Sequence, residues 1–433
     1  MNNKLKKISF YTLGCRLNQA ETALIEESFI QKGYQIVNFG EDSDLCVINS
    51  CTVTDKGDSD CRKVVRKYKR FNPQGKVAVV GCYSQVAAEE VSKIPDVNLV
   101  VGNREKMMLA DIVESTPIED SPVIIRNKLG KQESFTIDVS NSRQHTTRAN
   151  LKIQDGCDFF CTFCVIPFAR GRAHSRKFDD LLREANELVQ NGHRELVLTG
   201  INVGTYHYQD KTFLDVIKAL EQIDDLKRIR ISSIEPTTFD RDFFEYMASS
   251  PKLCNYLHLP LQSGSDTILQ QMKRKYDTAQ FESFVNMAME LVPDIMIGTD
   301  IIVGFPGETD ELFEETLEFV NKLPLGYFHV FSYSDRSLAK ASKFPDKIPQ
   351  SVIKKRSAIL RQLGKRKKQQ AYEQFLGKTV QVLFEQQKKG KWLGHDDHYL
   401  LVEVESDLDL KNKILPIKIT SVENERAKGK INE

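Results

Sequence analysis

The sequence predicts an α/β protein in three parts: an N-terminal parallel-sheet domain, a partial barrel of six strand–helix units, and a small C-terminal β-barrel. Three observations predict it. Apolar, β-branched runs alternate with helical stretches over most of the chain, the pattern of parallel strands joined by helical crossovers. The alternation restarts after a polar stretch, roughly residues 113–150. Beyond a basic helix near residue 370 only short strands follow, separated by turns. The expected domains are 1–140, 141–368 and 369–433.

In the first part, three apolar runs each end in cysteine: KISFYTLGC at Cys15, DLCVINSC at Cys51 and KVAVVGC at Cys82. Helical stretches from Glu21 to Lys32 and Lys56 to Phe71 lie between them. A parallel, Rossmann-like sheet puts all strand C-termini on one edge, so the three cysteines are expected to converge there. Gly14 and Gly81 precede two of them, where backbone must pass a bulky group.

The second series has strands at Asn150–Ile153, Glu195–Leu198, Arg228–Ser232, Tyr256–Leu259, Ile295–Val303 and Phe328–Phe331. Six such units make an incomplete TIM-like barrel, with its chemistry at the strand C-terminal ends. After the basic helix at Ile359 to Phe375, the runs GKTVQVLFEQ, HYLLVEVE and NKILPIKITSVE predict a β-barrel of about sixty residues.

Of 433 residues, 40% are apolar and 28% charged, the balance of a globular protein with sizeable cores. No apolar run approaches the ~20 residues of a membrane span, and the N-terminus has no signal-peptide core. A cytoplasmic protein is expected. The net charge of +1 hides local basic crowding at Arg62–Arg70 and Lys354–Lys368. Solvated helix faces and nucleic-acid contacts both look like this. Nine cysteines in a reducing compartment point to metal binding before disulfides.

The run CDFFCTFC supplies Cys157, Cys161 and Cys164. Three thiolates so close wrap one centre. Zinc would want a fourth ligand, and the only local one is His174, ten residues downstream. A 4Fe–4S cluster is usually held by four cysteines, so three leave one iron open to chelate a small molecule.

This spacing, with Phe163 before the last cysteine, resembles the radical S-adenosylmethionine (SAM) superfamily. The resemblance implies that the open iron binds SAM, which on reduction yields a 5′-deoxyadenosyl radical. It also implies a SAM pocket at the strand ends: Phe163 in the motif, Thr199, Gly200 and Asn202 in LTGIN, Ser233 and Glu235 in SSIEP, Gln262 in HLPLQSG, and Gly304 in DIIVGFPGET.

TLGCRLNQAE, NSCTVT and VGCYSQ resemble the methylthiotransferase family, and the likeness covers essentially the whole chain. It implies a second 4Fe–4S cluster on Cys15, Cys51 and Cys82, and a TRAM-like RNA-binding barrel at the C-terminus. Cys46, Cys61 and Cys254 are read as plain buried thiols. In such enzymes one SAM methylates a sulfur held at the N-terminal cluster. A second generates the radical that opens the substrate carbon to the methylthio group. An electron donor of flavodoxin type and a sulfur source are implied as partners. No acid–base residue is assigned.

The motifs look most like the branch acting on N6-threonylcarbamoyladenosine at C2, position 37 of tRNA, beside the anticodon. Siblings act on isopentenyladenosine or on an aspartate of a ribosomal protein. A non-catalytic iron–sulfur or RNA-binding protein is the alternative of another class. Arg170, Arg172, Arg176 and Arg336 are the expected contacts to RNA, with Phe384, Trp392 and Tyr399 as stacking or core aromatics.

Overall fold

The computed structural model describes residues 6–119, 121–130, 133–137 and 146–432. The N-terminal part is a parallel sheet of β1 (Lys7–Thr12), β2 (Gln35–Val37), β3 (Leu45–Ser50), β4 (Lys76–Gly81), β5 (Leu99–Val101) and β6 (Val123–Ile125). Its order is β2-β1-β3-β4-β5-β6. β3 is buried along its whole length, as the continuous run LCVINS requires of a central strand covered on both faces.

The intervening helices are set by local chemistry. In α2 (Asp55–Phe71), the Thr54 side chain caps the Gly57 amide, while Asp55 and Asp58 open the helix and Lys69 and Arg70 close it. These charges complement the helix dipole. α1 (Arg16–Gln31) starts directly at Cys15, earlier than the sequence suggested.

β7 (Ser134–Phe135), β9 (Gln154–Asp155) and β10 (His174–Arg176) form a small sheet beside the barrel, and β12 (His207–Tyr208) and β13 (Lys211–Thr212) a hairpin. The barrel strands are β8 (Arg148–Lys152), β11 (Glu195–Thr199), β14 (Arg228–Ile231), β15 (Tyr256–His258), β16 (Met296–Val303) and β17 (Tyr327–Ser332). They form two parallel sheets, β14-β11-β8 and β15-β16-β17. Each strand falls within two residues of its expected place. The apolar faces of the surrounding helices share one large core with these strands.

The helix Gln350–Glu373 starts nine residues before the expected Ile359 and packs on β16 and β17. β18 (Thr379–Lys388), β19 (Lys391–His395), β20 (Leu401–Glu405), β21 (Ile414–Glu423) and β22 (Arg426–Ile431) close into a barrel of order β18-β19-β20-β22-β21. It is bolted to the strand starts of the larger barrel. Arg230 donates to the carbonyls of Asp396 (2.7 Å) and Asp397 (3.1 Å), and Arg228 to those of His395 (3.1 Å) and Gln381. Glu195 holds both arginines. Burial raises its pKa, but Arg230, Arg148 and Arg228 outweigh that and bring it to about 2. No described helix is long and apolar enough to cross a membrane.

Candidate active site

The parallel sheet brings Cys15, Cys51 and Cys82 to one edge, as expected. Cys15 caps α1, Cys51 follows β3, and Cys82 opens the short helix Cys82–Val86. A helix N-terminus favours negative charge, so thiolates are at home there. Gly14 (φ +94) has a physical reason: a side chain would put its Cβ 2.6 Å from Cys51 Cβ and 2.9 Å from Cys51 Sγ. Only glycine lets the two loops approach this closely.

The second triad sits on one loop after β9. Gly156 (φ +69) leads into it, in a place where any side chain would overlap the Arg172 carbonyl. The Cys157 amide donates to Gly171 O (3.2 Å) and the Cys164 amide to Cys161 O (3.0 Å). Thr162 clips the loop to segment 271–272 through its amide and hydroxyl.

Within each triad the thiols lie near enough to act electrostatically on one another. Three thiolates are one short of the four that usually hold a 4Fe–4S cluster, so each set fits such a cluster with one iron left open.

Burial pushes the thiols upward: Cys51 and Cys164 to about 12, and Cys157 to about 11. Each triad is opposed by one arginine. Arg274 donates to Cys161 Sγ (3.3 Å), and also to Glu235 (2.5 Å), Tyr276 and Pro260 O. Arg170 acts on Cys15, Cys51 and Cys82 together.

Arg170 also anchors a buried network between the two domains. It donates to Asn18 Oδ1 (2.7 Å), to both Glu21 oxygens (2.9 Å) and to Asp155 (3.0 Å). Glu21 further accepts from Lys106 (2.5 Å) and Lys152 (2.7 Å). Burial alone would raise Glu21, but Arg170, Lys106 and Lys152 hold it well below the carboxylate range. Asn103 donates to Cys82 Sγ (3.4 Å) and to Ala169 O (2.6 Å), joining one triad to the helix that follows the other.

At the expected SAM pocket the outcome is mixed. Asn202 is buried with neither amide atom hydrogen-bonded, and it lines a cavity beside Cys157. Its side-chain hydrogen-bonding capacity is therefore unused within the chain's described residues. Gly200 sits where a Cβ would meet Gln154, whose Oε1 accepts the Ile201 and Asn202 amides (2.9 Å each). Ser233 and Glu235 follow β14, and burial raises Glu235 against the pull of Arg274. Gln262 adopts φ +75 and bridges to Ile301. Phe163 packs on the cluster of Ile268, Met272, Phe305 and Ala341. Thr199 is buried and donates to Val197 O (3.0 Å). Gly304 (φ +82) sits where a Cβ would meet the Ile353 side chain, so packing of the following helix also calls for glycine there.

The RNA contacts need larger corrections. Arg170 lies in the network above, and Arg176 is fully buried against Asp180 and Glu184. Neither can reach a phosphate. Arg336 bonds Thr52 (2.6 Å), Asp55 (2.7 Å) and Asp58 (2.6 Å), docking the loop after β17 on the loop after Cys51. Arg172 is exposed, beside Asp158. Phe384 and Trp392 fill the small barrel's core, and Tyr399 accepts from Arg16 Nη2 (2.8 Å). Lys354, Lys355, Arg361, Lys365 and Arg366 are exposed along one helix, whereas Arg356 is buried on Glu308. Cys46 and Cys61 are core residues of the N-terminal domain, and Cys254 is buried as well.

The sequence matches two family models, the Radical SAM superfamily over residues 151–320 and Uncharacterized protein family UPF0004 over residues 7–102. It is 40% identical over 380 residues to the threonylcarbamoyladenosine tRNA methylthiotransferase MtaB of Aquifex aeolicus, covering 87% of this chain and 92% of that one. The MtaB of Bacillus subtilis is 35% identical over 95% of this chain and 93% of its own. A tRNA-2-methylthio-N(6)-dimethylallyladenosine synthase of Cereibacter sphaeroides is 33% identical over 97% of each. Among solved structures, the radical S-adenosylmethionine methyltransferase TsrM of Kitasatospora setae shares the fold. Its TM-score is 0.53 at 13% identity, over 75% of this chain and 73% of that one.

Proposed function

The chain belongs to the radical SAM methylthiotransferase family, and from that premise we propose that it methylthiolates C2 of N6-threonylcarbamoyladenosine at position 37 of tRNA, in the cytoplasm. Cys157, Cys161 and Cys164 would hold one 4Fe–4S cluster with SAM, and Cys15, Cys51 and Cys82 the other. The observation that carries this reading is the buried network that ties the N-terminal triad to the barrel, with Arg170 and Asn103 joining that triad's surroundings to the helix that follows the other triad. A protein that only stored iron would have no need to hold two centres in fixed register.

When bound, the clusters and SAM supply the radical and the methylthio group. The chain's own residues do the rest. Arg274 and Arg170 offset the negative charge of the two thiolate sets in a buried setting. Asn202 and Glu235 offer SAM a polar amide and a carboxylate for its amino acid and ribose ends. Arg336 and Arg170 hold the N-terminal domain over the barrel mouth. The exposed lysines and arginines of helix Gln350–Glu373, with Arg172, remain the cationic surface for the anticodon stem. The reductant and the sulfur source stay defined by chemistry alone: a low-potential one-electron donor and a sulfide or persulfide.

Nucleoside analysis of tRNA tests the substrate. A strain lacking this gene should accumulate threonylcarbamoyladenosine without its methylthio group, and the reconstituted protein, with about eight irons per chain, should restore it in vitro. Loss of the methylthio group from isopentenyladenosine instead would assign the sibling tRNA activity, and loss from a ribosomal protein the other sibling.

A further inference from the structure

One face inside the partial barrel is aromatic and is left open at one end. Side chains alternate along a strand, so Tyr327, His329 and Phe331 of β17 share a face with Gly298 and Asp300 of β16 and with Tyr256 and His258 of β15. Successive ring centroids lie 5.3 Å (Tyr327–His329) and 6.3 Å (His329–Phe331) apart, with His258 5.8 Å from His329. Gly298 makes room for this ladder, since a Cβ there would enter the Tyr327 ring. Its lower end is sealed: Tyr256 and Tyr327 lie against Tyr399 of the small barrel, which Arg16 holds. Its upper end is open, with His329 exposed and Phe331 45% exposed.

The ladder's position gives it meaning. Arg16 follows Cys15 directly. At the other end, the loop leaving β17 docks beside Cys51, with Ser334 Oγ accepting the Asp55 amide (3.0 Å) and Arg336 on Thr52. The aromatic face therefore runs under the N-terminal triad. Its neighbouring strand leads to Gln262, whose amide donates to Asp300 O (2.8 Å) on the side of the expected SAM pocket. A flat group lying on His329 and Phe331 would sit between the two centres. His258 Nε2 is 3.0 Å from Asp300 Oδ1; His258 is buried and Asp300 half-buried beside the open rings.

We propose that His329 and Phe331 form the platform on which the target purine stacks after leaving the anticodon loop, with Asp300 accepting an N–H at the base edge. This rests on the tRNA reading above and names the residues that position its base. Single-stranded bases are commonly held by stacking on aromatic side chains, and such exposed rings next to polar acceptors suit a purine. They suit an aspartate side chain poorly, because it offers no ring.

The test uses the reconstituted enzyme and an anticodon stem-loop RNA carrying threonylcarbamoyladenosine, with a second RNA bearing 8-azidoadenosine at the same position. Irradiation should cross-link the azido base to the peptide containing residues 327–332. Phe331→Ala, with iron content and circular dichroism intact, should lower kcat/KM for the RNA about tenfold or more. Phe331→Trp should restore most of it, which a merely structural role would not predict. Cross-linking to the C-terminal barrel alone, or full kcat/KM in Phe331→Ala, overturns the platform while leaving the tRNA activity standing. A loaded wild-type enzyme that leaves the RNA untouched but modifies an aspartate-containing peptide overturns both.

Discussion

The two cysteine triads are built in opposite ways. One lies on a single loop of eight residues, Cys157 to Cys164, while the other is gathered from three strand ends spread over Cys15 to Cys82. The first needs only a local turn and a clip to residues 271–274. The second needs the whole parallel sheet, and is then fastened to the barrel by Glu21, Lys106, Lys152, Asp155 and Arg170. Their carboxylates differ too. Three cations hold Glu21 below its ordinary value, whereas burial raises Glu235 beside the compact triad. The gathered triad thus rests on a stabilising ion network, and the compact one keeps a carboxylate that costs free energy when ionised. Such a cost is typical of a group retained for a ligand.

The largest expected effect separates the triads by chemistry. Cys161→Ser should abolish both 5′-deoxyadenosine release and methylthio transfer. Cys51→Ser should lose about half the iron and all methylthio transfer, yet still release 5′-deoxyadenosine when given SAM and dithionite. Iron analysis and chromatography of both products check this. Release lost equally in the two variants would mean that the centres are not separable.

Next comes stability. Removing one partner of a buried charge network leaves the others unpaired, at a cost of about 3–5 kcal/mol. Glu21→Gln should show a loss of that order in urea unfolding of the apoprotein, against about 1 kcal/mol for Glu235→Gln. The pH dependence has the same origin. Glu21 is depressed in the folded state, so its contribution is fully present above its unfolded value of 4.5 and fades as pH falls below it. Glu235 is raised and contributes nothing in that window. Acid should therefore destabilise the wild-type protein below about pH 4.5 more steeply than Glu21→Gln. Parallel acid limbs for the two proteins would remove the network from the account.

These regions also mark what the sequence could reveal. Cysteine spacing and strand ends are local patterns, so both triads and all six barrel strands were legible. Long-range partners were not. Arg170 read as part of a cationic run because nothing near it in sequence announces Glu21, 149 residues away; the partners of Arg176, Asp180 and Glu184, are close in sequence, but only the fold shows that they bury it. Asn18, Asn103 and Gln154 carry no motif, and their roles appear only once the sheet and barrel meet. β19 and β22 were missed because their short runs, KWLGH and RAKGKI, contain little of the apolar alternation that marks a strand.

The smallest effect is the most specific. Arg274 places a fixed positive charge and one N–H on Cys161 Sγ, whereas Arg170 reaches the other triad across space and through Asn18. A cation and a hydrogen bond on a ligand sulfur stabilise the reduced, more negative cluster and so raise its potential. Arg274→Gln removes the charge and should lower the potential of the barrel cluster by the order of tens of millivolts, since a charge-assisted hydrogen bond is worth about 1.5–3 kcal/mol and only part of that differs between oxidation states. Arg274→Lys keeps the charge and should shift it less. The N-terminal cluster should not move in either variant, because Arg274 makes no contact with Cys15, Cys51 or Cys82 among its hydrogen bonds. Redox titration followed by electron paramagnetic resonance, with Cys51→Ser as background to isolate one signal, reads the shift directly. Equal shifts at both clusters would show that Arg274 acts through overall charge and not through Cys161.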